Sequence, residues 1–137
     1  MSYVPKTLIF PPNSPDSAPL VWTDPASARH AVRVVCDLMG LTVQMKDILC
    51  ACVEVESGFN PLAVHYNKDK TGAIWSADWG ICQINDWFNV GAGKPFPSTD
   101  FVLQNPQIDI QWMCDMFLQG KESMWSSYSQ KLYLRYL

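Results

Sequence analysis

The chain has 137 residues, a net charge of −3, 48% hydrophobic and 17% charged residues, which describes one domain with a core large enough to fold without a metal or disulfide staple. Six Trp, five Tyr and six Phe exclude general disorder. The acidic balance and the lack of a Lys/Arg cluster beyond Lys68 and Lys70 exclude a phosphate-tracking, nucleic-acid-binding surface. The longest apolar run, Ile48 to Val53, is far below the ~20 residues of a membrane span.

Pro5, Pro11, Pro12, Pro15, Pro19 and Pro25 fall in the first 25 residues, so residues 1–22 read as an extended arm and 23–137 as the folded domain. Thr7 to Phe10 is too short and too soon broken by proline for an export signal, which needs ~7–15 apolar residues. With five cysteines, an odd number, reduced thiols and cytosolic synthesis are expected.

Thr23 or Asp24 before Pro25 predicts a helix start, running Ala26 to Met39 and stopped by Gly40. Thr42 caps a second helix to about Ser57, closed by Gly58 and barred from continuing by Asn60 and Pro61. From Ala63 to Asn85 the residues are β-type, broken by the turn-like Lys68-Asp69-Lys70-Thr71-Gly72, which predicts a hairpin or small three-stranded sheet. After the loop Gly91 to Pro97, Pro106 opens a helix through Leu118, Gly120 stops it, and a last helical segment runs from about Glu122 to Arg135. The expected fold class is α+β, mainly helical.

On the second helix, at about 100° per residue, Glu56 falls within the apolar stripe of Ile48, Leu49, Cys52 and Val53, while Glu54 sits beside Asp47 on the polar face. A carboxyl on an apolar stripe is costly to ionise and suits a general acid; the plain alternative is a helix-end Glu escaping to solvent past Gly58. Asp78 is the second carboxyl. In an unbroken strand Asp78, Gly80, Cys82 and Ile84 share one face and Trp79, Ile81, Gln83 and Asn85 the other, and Asp78 is equally readable as a turn residue before that strand.

Glu56-Ser57-Gly58-Phe59-Asn60-Pro61 resembles the catalytic ESxFNP motif of soluble lytic transglycosylases. Asp78-Trp79-Gly80-Ile81-Cys82-Gln83-Ile84-Asn85 resembles the DYGxxQIN strand of animal-type lysozymes and pilus-associated transglycosylases. Gly120 to Tyr128 is similar to the lysozyme segment whose Trp covers the catalytic Glu, which gives that part to Trp125. The resemblance spans about a quarter of the chain, and the order of its motifs makes it more specific than any single one. The cysteines do not reproduce the disulfide pattern of secreted animal lysozymes, and an extra basic turn separates Glu56 from Asp78.

The resemblance implies a lysozyme-like fold with its sheet beside an active-site cleft. It also implies cleavage of the β-1,4 bond between N-acetylmuramic acid and N-acetylglucosamine in peptidoglycan, with Glu56 and Asp78 catalytic. Water as attacker makes a lysozyme and the sugar's own 6-hydroxyl a lytic transglycosylase, and the motifs leave both open. Ser57, Gln83, Asn85, Trp87, Trp125 and Tyr128 are the candidate substrate-binding residues, with Phe88 beside Trp87 as a further ring for stacking. No cofactor or metal is expected, and a monomer whose partner is the glycan strand. Compartment logic points to a bacteriophage endolysin or virion-associated lysin, made in the host cytoplasm and acting at the wall. The rival readings are a silent glycan-binding or structural module and a peptidase using Cys82 or Cys52 with His65.

Overall fold

A computed structural model describes residues 2–137 of the chain. The fold is α+β and mainly helical. Helix α1 spans Pro25–Leu38, with the Asp24 side chain accepting from the Ser27 N–H and Pro25 in the first turn, and α2 spans Val43–Ser57, capped by Thr42. A three-stranded antiparallel sheet follows, β1 (Val64–Lys68), β2 (Ile74–Trp79) and β3 (Ile84–Asn85), in the order β1-β2-β3. Its first hairpin turns where Asp69 Oδ1 accepts from the Thr71 and Ala73 N–H groups and the Thr71 hydroxyl.

Three further helices lie beyond the sheet: α3 (Asp86–Asn89), α4 (Thr99–Gln104) and α5 (Pro106–Leu118). The expected helix over 122–135 is broken into a 3-10 turn (Glu122–Met124), the short α6 (Ser126–Ser129) and a second 3-10 segment (Leu132–Tyr136). Lys131 stands in the left-handed region at φ 57°, a conformation no helix can pass through. The apolar stripes of α1, α2 and α5 meet in one core, with Val32, Val35, Leu49, Val53, Ile110 and Met113 fully enclosed.

The proline-rich arm is not free of the domain. The Tyr3 hydroxyl donates to Asp115 Oδ2 at 2.6 Å, its N–H donates to the Pro95 carbonyl, and Gln111 Nε2 donates to the Lys6 carbonyl at 2.6 Å. Tyr3, Leu8, Leu20 and Trp22 pack against the core. No helix among the described residues is long and apolar enough to cross a membrane.

The expectation of one continuous strand from Asp78 to Asn85 is corrected. β2 ends at Trp79, Gly80 to Gln83 forms a turn, and β3 returns antiparallel, so Asp78 pairs with Asn85 and Trp79 with Ile84. Gly80 at φ +78° and Gln83 at φ 54° make the reversal. Residues that strict alternation sets on opposite faces therefore stand side by side.

Candidate active site

The last turn of α2 and the inner face of the sheet enclose a cleft of about 340 Å³, lined by Glu56, Asn67, Asp78, Gln83, Asn85 and Trp125 among others. Glu56 is half-buried, as its place on the apolar stripe predicts. Burial pushes its carboxyl above the usual carboxylate range, hydrogen bonding from Ser127 works against the rise, and the nearby Asp78 charge adds to it. The Ser127 backbone N–H donates to Glu56 Oε2 at 3.3 Å, which fixes one oxygen and leaves the carboxyl open to the cleft. Glu54, two residues earlier, lies on the solvent side and pairs with Arg29 at 3.1 Å.

Asp78 occupies a different chemical setting. Its Oδ2 accepts from Asn67 Nδ2 at 3.2 Å and its Oδ1 from Asn85 Nδ2 at 2.9 Å, and the same two amides donate to Ser76 Oγ. The strand register explains the cluster. Asn67 pairs with Ser76 and Asp78 with Asn85, so three strands present Asn67, Ser76, Asp78 and Asn85 on one polar face. Asn67 and Ser76 did not emerge from the sequence because only the hairpin register brings them to Asp78.

The Glu56–Pro61 segment ties the helix to the sheet. Ser57 Oγ donates to the Ile81 carbonyl at 2.7 Å. Gly58 takes φ 60°, the left-handed position that ends a helix. Phe59 follows at φ 62° with its ring buried, a conformation that costs a bulky residue of order 1–3 kcal/mol and is held by the surrounding core. Asn60 Oδ1 then accepts from the Leu62 N–H at 2.9 Å. Across the gap Gln83 Nε2 donates to the Ala63 and Gly80 carbonyls.

These bonds revise the roles expected for several residues. Gln83 and Asn85 line the cleft and Ser57 follows Glu56 without lining it, but the donors of all three are engaged within the protein, and Asn85 Oδ1 also caps α3 through the Phe88 N–H. They position the two carboxyls. Trp125 does border the cleft: its Nε1 donates to the Cys82 carbonyl at 2.8 Å, and its ring packs edge-on against Trp112 at 5.5 Å. Tyr128 does not reach the cleft. Its ring stacks on Tyr133 at 5.3 Å and meets Phe117 edge-on, on the far end of the aromatic row that passes under Trp125. Trp87 also lies outside the cleft lining, whereas Phe88 is part of it.

Neither rival assembly of catalytic groups is present. Cys52 and Cys82 are buried thiols that burial pushes up, Cys52 to about 11, the opposite of an activated nucleophile; His65 is exposed on β1 and pairs with Asp78 across the sheet backbone. A larger groove of about 570 Å³ runs between α1, α2 and the C-terminal residues. Its charges satisfy each other, Arg29 with Glu54 and Arg33 with Asp47 at 3.2 Å, so it offers no convergent chemistry. No family model, curated protein or solved structure matches this chain.

Proposed function

We propose that this protein is a peptidoglycan-cleaving glycosidase, a lysozyme or lytic transglycosylase that breaks the β-1,4 bond between N-acetylmuramic acid and N-acetylglucosamine. The observation that carries the reading is one cleft lined by two carboxyls in opposed settings. Glu56 is half-buried with its proton affinity raised, and Asp78 has both oxygens held by amide donors. A carboxyl with raised proton affinity suits proton donation, and the amide donors fix the orientation of the second carboxyl beside it.

Glu56 donates its proton to the glycosidic oxygen, since an unprotonated sugar alkoxide is a poor leaving group. As the C–O bond breaks, positive charge develops at the anomeric carbon and ring oxygen, and the Asp78 carboxylate stabilises it. The Glu56 carboxylate then takes the proton of the attacking hydroxyl. When that hydroxyl belongs to water the product is a hydrated reducing end, and when it is the muramic acid 6-hydroxyl the product is a 1,6-anhydro sugar. The resemblance of both motifs to this superfamily supports the reading, and the free, buried state of all five cysteines fits synthesis in a reducing cytosol, as for a phage endolysin or virion lysin.

The test is mass spectrometry of soluble products from purified peptidoglycan treated with the wild type or Glu56→Gln. Muropeptides with either reducing-end form, absent with Glu56→Gln, are expected. No products, or products indifferent to Glu56→Gln, overturn the assignment; retained glycan binding without turnover by the wild type moves the protein to the silent-module class.

A further inference from the structure

Away from the cleft, three of the five free cysteines gather where α1, α2 and α5 meet. Cys36 on α1 and Cys114 on α5 are fully enclosed, and the Cys114 thiol donates to Cys36 Sγ at 3.7 Å although 78 residues separate the two in the chain. Cys50 on α2 neighbours the Cys36 thiol and the Arg33 side chain. Cys52, two residues on, points about 200° away around the same helix and stays out of the cluster. A disulfide needs its sulfurs at about 2.05 Å, so Cys36 and Cys114 must close by about 1.7 Å, a shift within the reach of side-chain rotation.

The cluster opens to solvent at Cys50, which is 8% exposed and lines the groove of about 570 Å³ between α1, α2 and the C-terminal residues. The charges of that groove are paired, but its wall carries this thiol. On the α5 side the arm covers the cluster: the Tyr3 hydroxyl bonds Asp115, the residue after Cys114, and Gln111 holds the Lys6 carbonyl and reaches Met39 Sδ at 3.9 Å. Hydrogen bonding with Cys36 and burial push the Cys50 thiol up, and the Arg33 guanidinium works against the rise. A thiol held in this way reacts slowly with a dilute disulfide, so the cluster keeps its protons wherever small thiols are in excess.

We propose that Cys36, Cys50 and Cys114 form a redox site that takes a small-molecule disulfide as its oxidant and ends in a Cys36–Cys114 bridge, stapling α1 to α5 when the protein meets an oxidising compartment. The inference is independent of the glycosidase reading. Cys50 gives its proton to solvent and attacks one sulfur of the oxidant RSSR, and the other sulfur leaves as a thiolate that takes up a proton, which yields a mixed disulfide and one RSH. Cys36 attacks the Cys50 sulfur and expels the second RSH, and Cys114 then attacks the Cys36 sulfur and returns Cys50 to the thiol. In sum two protein thiols are oxidised to one disulfide and one small disulfide is reduced to two thiols. The bridge spans 78 residues, and a cross-link of that length, kept in the unfolded chain, lowers the unfolding equilibrium constant by about a hundred- to a thousandfold.

The test treats the reduced native protein with oxidised glutathione, alkylates the thiols that stay free, and maps the products by mass spectrometry alongside thermal unfolding. A Cys36–Cys114 peptide pair is expected, with the midpoint raised by about 5–15 °C and restored by dithiothreitol. Cys50→Ser is expected to slow bridging by about tenfold or more while leaving the same final pair. Five free thiols after prolonged treatment, a bridge found only in urea-unfolded protein, glutathione left on Cys50, or Cys36–Cys50 as the end product each overturn the proposal, and a Cys50→Ser protein that bridges as fast as the wild type overturns entry at Cys50. If Cys50→Ser does not fold, acid-quenched wild-type samples decide the same point: glutathionylated Cys50 and the Cys36–Cys50 pair precede Cys36–Cys114, and a bridge that forms without them refutes the relay.

Discussion

Asp109 offers a direct measure of how burial controls ionisation in this domain. It lies in the first turn of α5, is fully enclosed, and neither carboxyl oxygen has a hydrogen-bond partner among the described residues. Burial raises its pKa to about 9, against about 3.9 in an unfolded chain. Between those values the native state keeps a proton that the unfolded state has released, so stability falls with rising pH by about 1.4 kcal/mol per unit. Below pH 4 both states are protonated and the group is neutral to stability; at pH 7 its cost reaches about 4 kcal/mol. Asp109→Asn keeps the shape and removes the titration. Its amide brings donors of its own to a site without partners, but that penalty is independent of pH, so the slope carries the information. Urea unfolding followed by tryptophan fluorescence at pH 5, 6, 7 and 8 should show the variant gaining on the wild type by about 4 kcal/mol across the range. Parallel stability profiles for the two proteins would refute the reasoning.

Gly80→Ala puts a methyl group 3.1 Å from Val102 Cγ1 and 3.3 Å from Asp109 Oδ2 at a φ of +78°; a loss of about 2–4 kcal/mol is expected in thermal unfolding, with reduced wall digestion as Asp78 shifts. On the proposed mechanism Glu56 gives up a proton to the glycosidic oxygen, so digestion should decline as pH rises through its raised pKa. Trp125→Ala admits water beside Glu56, which weakens the desolvation and should move that alkaline limb of the pH–rate profile to lower pH. Tyr3→Phe removes the 2.6 Å bond to Asp115 and should cost about 1–3 kcal/mol, read as faster proteolytic clipping within residues 2–22 at unchanged digestion rate.

The elements written in local chemistry were legible. Asp24-Pro25, Thr42 with Gly58, and Pro106 mark the starts and stops of α1, α2 and α5 because capping groups act within a few residues of themselves. The place of Glu56 followed from helical periodicity for the same reason. What escaped is set between distant segments. The partnership of Asp78 with Asn85 depends on a four-residue turn that reverses the chain, and the bulge at Trp75 exists only as a mismatch between β1 and β2. Tyr128 is a cleft candidate as the last residue of the Gly120–Tyr128 segment, yet the short α6 places its ring against Tyr133 and Phe117, outside the cleft lining. Ser57, Gln83 and Asn85 are polar residues near a carboxyl, and sequence cannot distinguish those that face a ligand from those already bonded to the backbone.

That last distinction changes how the Glu56–Pro61 segment works. If its polar residues contacted substrate, its sequence would encode specificity; bonded as they are, they encode distance. Ser57 fixes the end of α2 to Ile81, and Gln83 bridges Ala63 and Gly80, so the helix carrying Glu56 and the hairpin carrying Asp78 are joined on both sides of the same turn. Removing any one bond leaves both carboxyls present but frees their separation, and a proton donor misplaced by about 1 Å forfeits on the order of a hundredfold in rate. Ser57→Ala should therefore depress kcat on peptidoglycan with little change in KM, whereas a lost sugar contact would do the reverse.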